Sequence, residues 1–402
     1  MPGSSPVRHA PGTLALTILL GFLTALGPLS TDMYLPSLPS IAAYFGRSSG
    51  AAQLTLSAYL IGFALGLPLY GPLSDRGGRK PALLAGLALY GLASLFAAAA
   101  PSLDILIGCR LLQGFGAAGP LVIARAIVRD LYEGRRAGQE LARMGSIMGV
   151  VPAIAPILGV GLELGFGWRA NFIVSFGLIL ALGIWAAMRL PETLKARLAA
   201  PFRLGAVLGG FGGLLWDRRF LPFAALAAAT YSGLFAFISG SSFVYQLHFR
   251  VSELAFAIAF VMMVLGFISG AFIAQRIAMR TEPRHLLLAG ALLQAGAGAA
   301  MLAGTQIFPA STLALTLPMM FYAAGVGFTL PQSMALAMLP FPERAGAASS
   351  LIGMLQMGVA ALVGAGIGAA IDRGPQVLVL AIACCGFAAL ALYAVIRRLP
   401  RA

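Results

Sequence analysis

Charge is what this chain has least of. Among its 402 residues only 10% are Asp, Glu, Lys or Arg, against about 25% in an ordinary soluble domain. Acids are scarcer than bases, 13 against 27. With 59% hydrophobic residues and a mean hydropathy of +0.91, the composition excludes a soluble globular protein. Cysteine is almost missing too. Cys109, Cys384 and Cys385 all lie in apolar runs, and an adjacent pair on one helix is poorly placed for a structural disulfide. They read as small core residues. His9, His248 and His285 stand singly, so no cluster has metal-ligand spacing and nothing calls for a metal or cofactor. An integral membrane enzyme would need buried catalytic His, Cys or paired carboxylates, and only Asp32 and Arg110 qualify. A receptor or channel is disfavoured by the absence of a large soluble domain.

What the chain has instead is long charge-free runs. Eleven occur, from 9–31 and 48–74 through 374–396, and a bilayer span needs about 20 mostly apolar residues. The run 286–342 is broken by Gly304-Thr305-Gln306-Ile307-Phe308-Pro309 and reads as two helices. Twelve spans result, and an even number puts both termini on one side. The apolar run after the first twelve residues is longer than the ~7–15 residues of a signal peptide and lacks a small-residue cleavage site. It reads as a retained first helix. The longest connection, Pro191–Arg219, splits the chain into two groups of six. The expected architecture is all-α and membrane-integral: one bundle over 1–190, a cytoplasmic central loop over 191–218, and a second bundle over 219–402. An offset of about 200 residues brings Gly71…Arg76 near Gly270…Arg276, a weak internal repeat of the kind two-halved transporters carry.

The basic balance follows the same layout. Under this topology 22 Lys and Arg fall inside, Arg47, Arg169, Arg250 and Arg373 fall outside, and Arg110 remains in the membrane. That is the positive-inside rule, and it removes nucleic acid as the explanation of a formal charge of +14.

The densest signal is Gly71-Pro-Leu-Ser-Asp75-Arg76-Gly-Gly78-Arg79-Lys80, set between two spans. Glycines permit the tight turn and the cations fix its side of the membrane. Neither purpose needs Asp75. Arg125 and Arg129 are its expected partners, together with the partly positive helix start near Arg344–Ser350. Arg110 is an arginine enclosed by the fourth span, which costs at least ~2.5–3.5 kcal/mol and reads by default as functional; snorkelling to the nearby end is the bland alternative. Asp32 closes the first run, in the outer half of helix 1 and at similar depth to Arg110. Arginine keeps its proton, so the titrating member of the two must be Asp32.

These motifs resemble those of the major facilitator superfamily. The loop pattern Gly-x-x-x-Asp-Arg-x-Gly-Arg-Lys is similar to that family's helix 2–3 motif, and Arg110-Leu-Leu-Gln113-Gly-Phe-Gly to its fourth-helix motif, in which the arginine faces the cavity. Met148–Gly161, with Gly149, Pro152, Pro156 and Gly159, resembles its antiporter helix 5, although Ala155 and Val160 replace glycines. Pro28-Leu-Ser-Thr-Asp32-Met-Tyr-Leu-Pro36, Gln53-Leu-Thr-Leu-Ser-Ala-Tyr59, Ala126-Ile-Val-Arg129-Asp130, Pro191-Glu192-Thr193 and Ala345–Ser350 resemble the Bcr/CflA drug-resistance branch. The resemblance implies a proton-driven exporter of drugs or small metabolites in a bacterial inner membrane, multi-pass, monomeric, with both termini cytoplasmic. Asp32 and Arg110 would couple protons. Gly71, Asp75, Arg76, Gly78, Arg79, Arg125 and Arg129 would form a gate between the halves. Substrate contacts are expected from Gln113, Tyr231, Phe235, Tyr322, Gln332 and Gln356, near mid-membrane. Uptake by symport or uniport is the alternative that the imperfect helix 5 leaves open.

The topology is testable directly. A reporter fused after the 191–219 segment should read as cytoplasmic and one fused near Arg47 as external. Protease cleavage of the central connection in intact cells would contradict the twelve-span count.

Overall fold

The computed structural model describes residues 13–198 and 204–399; Arg8, His9, Arg203 and Arg401 lie outside the described residues. Twelve helices in it are long and apolar enough to cross a bilayer. They are α1 (Leu14–Tyr44), α2 (Ser49–Gly77), α3 (Arg79–Ala98), α4 (Leu103–Leu131), α5 (Gly134–Phe166) and α6 (Arg169–Arg189). After the central connection come α7 (Leu221–His248), α8 (Glu253–Ala278), α9 (Pro283–Ile307), α10 (Leu313–Met338), α11 (Pro342–Gly368) and α12 (Gln376–Arg397). A helix keeps its backbone polar groups satisfied within one segment when water is absent. Three of them, α2, α4 and α8, start under a serine cap. Ser48, Ser102 and Ser252 accept from the backbone N–H groups of Ala51, Ile105 and Ala255 respectively.

The helices form two bundles with the same internal pairing. In the first, α2 packs on α4, α3 on α4 and α6, and α1 on α5; in the second, α8 packs on α10, α9 on α10 and α12, and α7 on α11. Shifting by six helices converts one set into the other. Contacts between the bundles obey the same shift, α2 against α11 and α5 against α8. The weak sequence repeat is thus a strong structural one.

Glycine decides how close these helices come. A Cβ on Gly62 would stand 1.9 Å from the Leu111 carbonyl oxygen, and one on Gly114 would stand 1.9 Å from that of Tyr59. In the second bundle Gly266 and Gly270 press equally on the backbone of Met320 and Ala324. Small residues at crossings allow this backbone contact. Gly145, Gly149 and Gly161 of α5 are different, with nothing within 4 Å of a built Cβ.

Three expectations need correction. Gly71–Gly77 is not loop but the last two turns of α2, and the connection to α3 is Gly78 alone, at φ +104°. Gly270 and Arg276 are likewise helical, within α8. The central connection is not simply a loop: it contains the helix Leu204–Leu215, whose Phe211 and Leu214 are buried with Phe220 and Leu351. Finally, α1 does not end at Asp32. Its α-helix stops there, tightens into a 3₁₀ turn at Leu35–Ser37, and resumes as Leu38–Tyr44. Asp32 therefore lies close to the middle of the span.

Gly114→Ala should force α2 and α4 apart and lower stability by about 1–3 kcal/mol, read as a reduced melting temperature in detergent. Gly108→Ala, on the same helix with open space around it, should cause no loss.

Candidate functional site

Arg110 is the seventh residue beyond the start of α4, about 10 Å along the helix from that end. It is fully buried, which rules out snorkelling. Its guanidinium lies over the rings of Tyr59 at 4.4 Å, Tyr34 at 4.8 Å and Phe172 at 6.0 Å. Desolvated stacking of this kind is worth about 2 kcal/mol or more. One nitrogen, Nη1, also donates to Ser30 Oγ at 3.1 Å and to Gln113 Oε1. Gln113 in turn donates to Ser94 at 2.7 Å. Gln113 is therefore a support for Arg110 inside the first bundle, not a group facing a substrate, because both ends of its amide are occupied there.

Asp32 is also buried, at 4% exposure. Its carboxylate accepts from the Thr31 hydroxyl at 2.9 Å and makes no ion pair among the described residues. The two buried charges share a bundle but are not bonded to each other. Arg110 is held inside the first bundle by rings of α1, α2 and α6 and by Gln113 of its own helix. Tyr231 of α7 lies in the neighbourhood of Asp32, and it stacks on Phe235 with centroids 6.5 Å apart. The structure thus brings Asp32, Tyr231 and Phe235 together between the bundles. Phe235 and Ser57 both meet the small face of Gly364. Gln356 of α11 is buried with an unpartnered Nε2, as expected of a group at an interior contact site. Tyr322 is not at this site. Its hydroxyl ends between Gly233 and Cys385 inside the second bundle, since Gly233 leaves the space it fills. Gln332 is half-buried on α10 and is not joined to the others.

The Asp75 neighbourhood is built differently from the expectation. Asp75 pairs with Arg79, one turn on, and Arg79 Nε bonds Asp130 Oδ2 at 2.9 Å. Arg79 Nη1 also donates to Ser74 at 2.7 Å. Arg125 and Arg129 are exposed and are not its partners; Arg79 reaches it first across the one-residue turn. Nor, among the described residues, is it engaged by the start of α11. Arg76 instead donates back to the Pro72 carbonyl at 2.8 Å, and Gly71 lies one turn further into α2. Glu192 supplies what the sequence did not show. It accepts from the backbone N–H of Arg79 at 2.9 Å, Lys80 at 3.2 Å, and Thr193 and Leu194 at 3.0 Å. A carboxylate at a helix start satisfies orphan donors and favours the dipole. A Cβ on Gly78 would stand 2.6 Å from that carboxylate, so both backbone sign and space require glycine. The signal was the Pro-Glu-Thr triplet, whose Thr193 also bonds Asp130 at 3.1 Å.

On α5, Pro152 and Pro156 sit within one continuous helix. Gly159 presses on α1, where a Cβ would meet the Met33 carbonyl oxygen at 2.1 Å, while Gly149 touches nothing. Two acids here were not singled out from the sequence, because they lie just beyond the charge-free run 144–162. Glu140 accepts from Thr17 at 2.8 Å and from Arg143 at 2.7 Å, and Glu163 accepts from Ser40 at 2.6 Å.

Comparison with known proteins bears on this geometry. A profile of the Major Facilitator Superfamily matches residues 20–365. YdgK of Bacillus subtilis, described as an uncharacterized MFS-type transporter, is 38% identical over 87% of each chain. A chloramphenicol resistance protein of Pseudomonas aeruginosa is 33% identical over 84% of this chain and 80% of its own. Multidrug resistance protein D of Escherichia coli is 30% identical over 85% of each. Among solved structures, a D-xylose-proton symporter superposes with a TM-score of 0.74 at 16% identity, covering 94% of this chain and 96% of its own. At that identity the likeness is one of fold.

Arg79→Lys replaces three directed N–H groups with one point charge and cannot bridge Asp75, Asp130 and Ser74 together. Leaving Asp130 short of its partner should cost about 1–3 kcal/mol, measured as lower thermal stability, and should slow transport in vesicles.

Proposed function

The chain belongs to the Major Facilitator Superfamily, and we propose that it exports small organic solutes in exchange for protons across a bacterial inner membrane. It is a transporter rather than an enzyme, of the Bcr/CflA-like drug-resistance branch. The relatives named for chloramphenicol and multidrug resistance support a drug-like or metabolite-like cargo. The observation that carries the reading is Asp32, an acid held inside a membrane span by one hydroxyl and, among the described residues, no counter-charge. Ionisable groups in such places mark proton pathways.

The exchange runs as a competition. Asp32 takes a proton or interacts with solute, but not both. Arg110 keeps a fixed positive charge in the same bundle. Solute binds among Tyr231, Phe235 and Gln356, enters from the cation-rich face, and leaves at the other when the bundles rock about the site. The bundles over 1–190 and 219–402 move against each other, joined by 191–218, with the cation-rich face and both termini cytoplasmic by the positive-inside rule. Asp75, Arg76, Arg79, Arg125 and Arg129, at that face, close the cytoplasmic side in the opposite state. Inward proton flow supplies about 2.3 kcal/mol per charge per 100 mV, enough for a solute gradient of about 50-fold.

Asp32→Asn imitates the protonated acid permanently. Uphill export should be lost while solute binding and passive exchange persist, and proton release on adding solute to purified protein should vanish. In the native protein, export should weaken as external pH rises and the gradient collapses. Active export by Asp32→Asn with proton release intact would move coupling elsewhere.

A further inference from the structure

The bundles are joined at the cation-poor face by a thin polar layer that the exchange mechanism above does not use. Gln53 of α2 is its centre. Its Nε2 donates to Ser239 Oγ of α7 at 3.0 Å and to the Gly364 carbonyl of α11 at 3.1 Å. Both partners belong to the opposite bundle, and Gln53 and Ser239 are fully buried. One turn further toward the same face, Gly50 lies against Gly368, where a Cβ would stand 2.0 Å from its carbonyl oxygen. A second pair of bonds reinforces the layer. Ser242 Oγ donates to the Leu35 carbonyl at 2.7 Å, and Gln246 Nε2 to the Pro36 carbonyl at 3.2 Å. Those carbonyls lie in the 3₁₀ turn of α1, and Pro39, lacking an N–H, cannot serve Leu35 as an ordinary helical residue would. The donors come from α7 just where it loosens into a π-turn at Val244–His248, a distortion common at functional sites.

We propose that Gln53 is a positioning residue of the transport cycle, latching the two bundles shut at the cation-poor face so that the site opens only toward the other. A primary amide suits this: one nitrogen carries two N–H groups, so a single side chain holds two helices of the opposite bundle. The bonds are individually modest, strong enough to bias the closed state and weak enough to release. Direction of opening rests on the alternating-access reading, but not on Asp32 being the proton carrier.

The test is one-sided accessibility in a protein with Cys109, Cys384 and Cys385 replaced. Ser57 lies one turn deeper than Gln53, is buried, and its hydroxyl has no partner, so Ser57→Cys reports opening at this face. A membrane-impermeant maleimide added to whole cells should label Ser57→Cys slowly. Gln53→Leu should raise the rate about tenfold, and Ser239→Ala about threefold. The double variant should label no faster than Gln53→Leu alone, because both changes remove the same bond; a general loosening of the fold would add. Gly50→Val, which blocks the approach without touching the amide, should also raise labelling. Equal labelling of Gln53→Leu and its parent, with Gly50→Val accelerated, would overturn the latch. Labelling needs neither solute nor gradient, so a failure of the Asp32 reading leaves this readout intact.

Discussion

Inside a bilayer there is no water to answer a charge, so every charge kept there needs a fixed partner. Most of the charged groups near this protein's core have several partners, although Arg110 bonds through Nη1 alone and its Nε and Nη2 have no hydrogen-bond partner. Arg110 has three rings and two oxygen acceptors on neighbouring side chains. At the cation-rich face Arg79 has two carboxylates, and even the exposed Glu192 has four backbone N–H groups. Asp32 is the exception, with one hydroxyl from its chain neighbour. A permanent cation is wrapped tightly and a group able to change its charge is left lightly held. That asymmetry, more than the presence of either residue, is what the coupling proposed for Asp32 would require.

The same constraint governs how the bundles meet. Within each, glycine lets backbones touch across long crossings, and dense dispersion contact makes it a rigid body. Between them, the polar contact is a few side-chain bonds onto α7, α11 and the broken part of α1. Their combined net worth, about 2–6 kcal/mol, is of the order of what a proton gains in crossing an energised membrane. Rigid halves and a weak joint are the physical conditions for rocking without unfolding.

Much of this is legible in the sequence. Charge-free runs count the spans correctly because burying a charge is costly enough to shape the whole chain. The rule fails where a charge is kept inside a span. Asp32 ends the first run early, so α1 looks shorter than it is, and Arg110 and Arg125 cut α4 to an impossible length. The runs also hide Glu140 and Glu163, which lie just past the limits of one. Partners are less visible than positions. Asp75 points to distant arginines because nothing in the sequence shows that the α2–α3 connection is a single glycine, which brings Arg79 within reach. Tyr322 and Gln113 look like cavity groups by residue type, yet each faces into its own bundle, a matter of helix rotation that uniformly apolar spans do not encode.

Gly78 has a consequence for biogenesis. With one residue between them, α2 and α3 form a hairpin with no slack in its turn. The hairpin would insert as a unit, its turn held back by Arg76, Arg79 and Lys80. Glu192, which caps the start of α3, is synthesised more than a hundred residues later. Until it emerges, the N-terminal amides of α3 have no side-chain carboxylate to bind. Completion of the first bundle is thus registered at its first turn on the cation-rich face, by a residue that leads into the second.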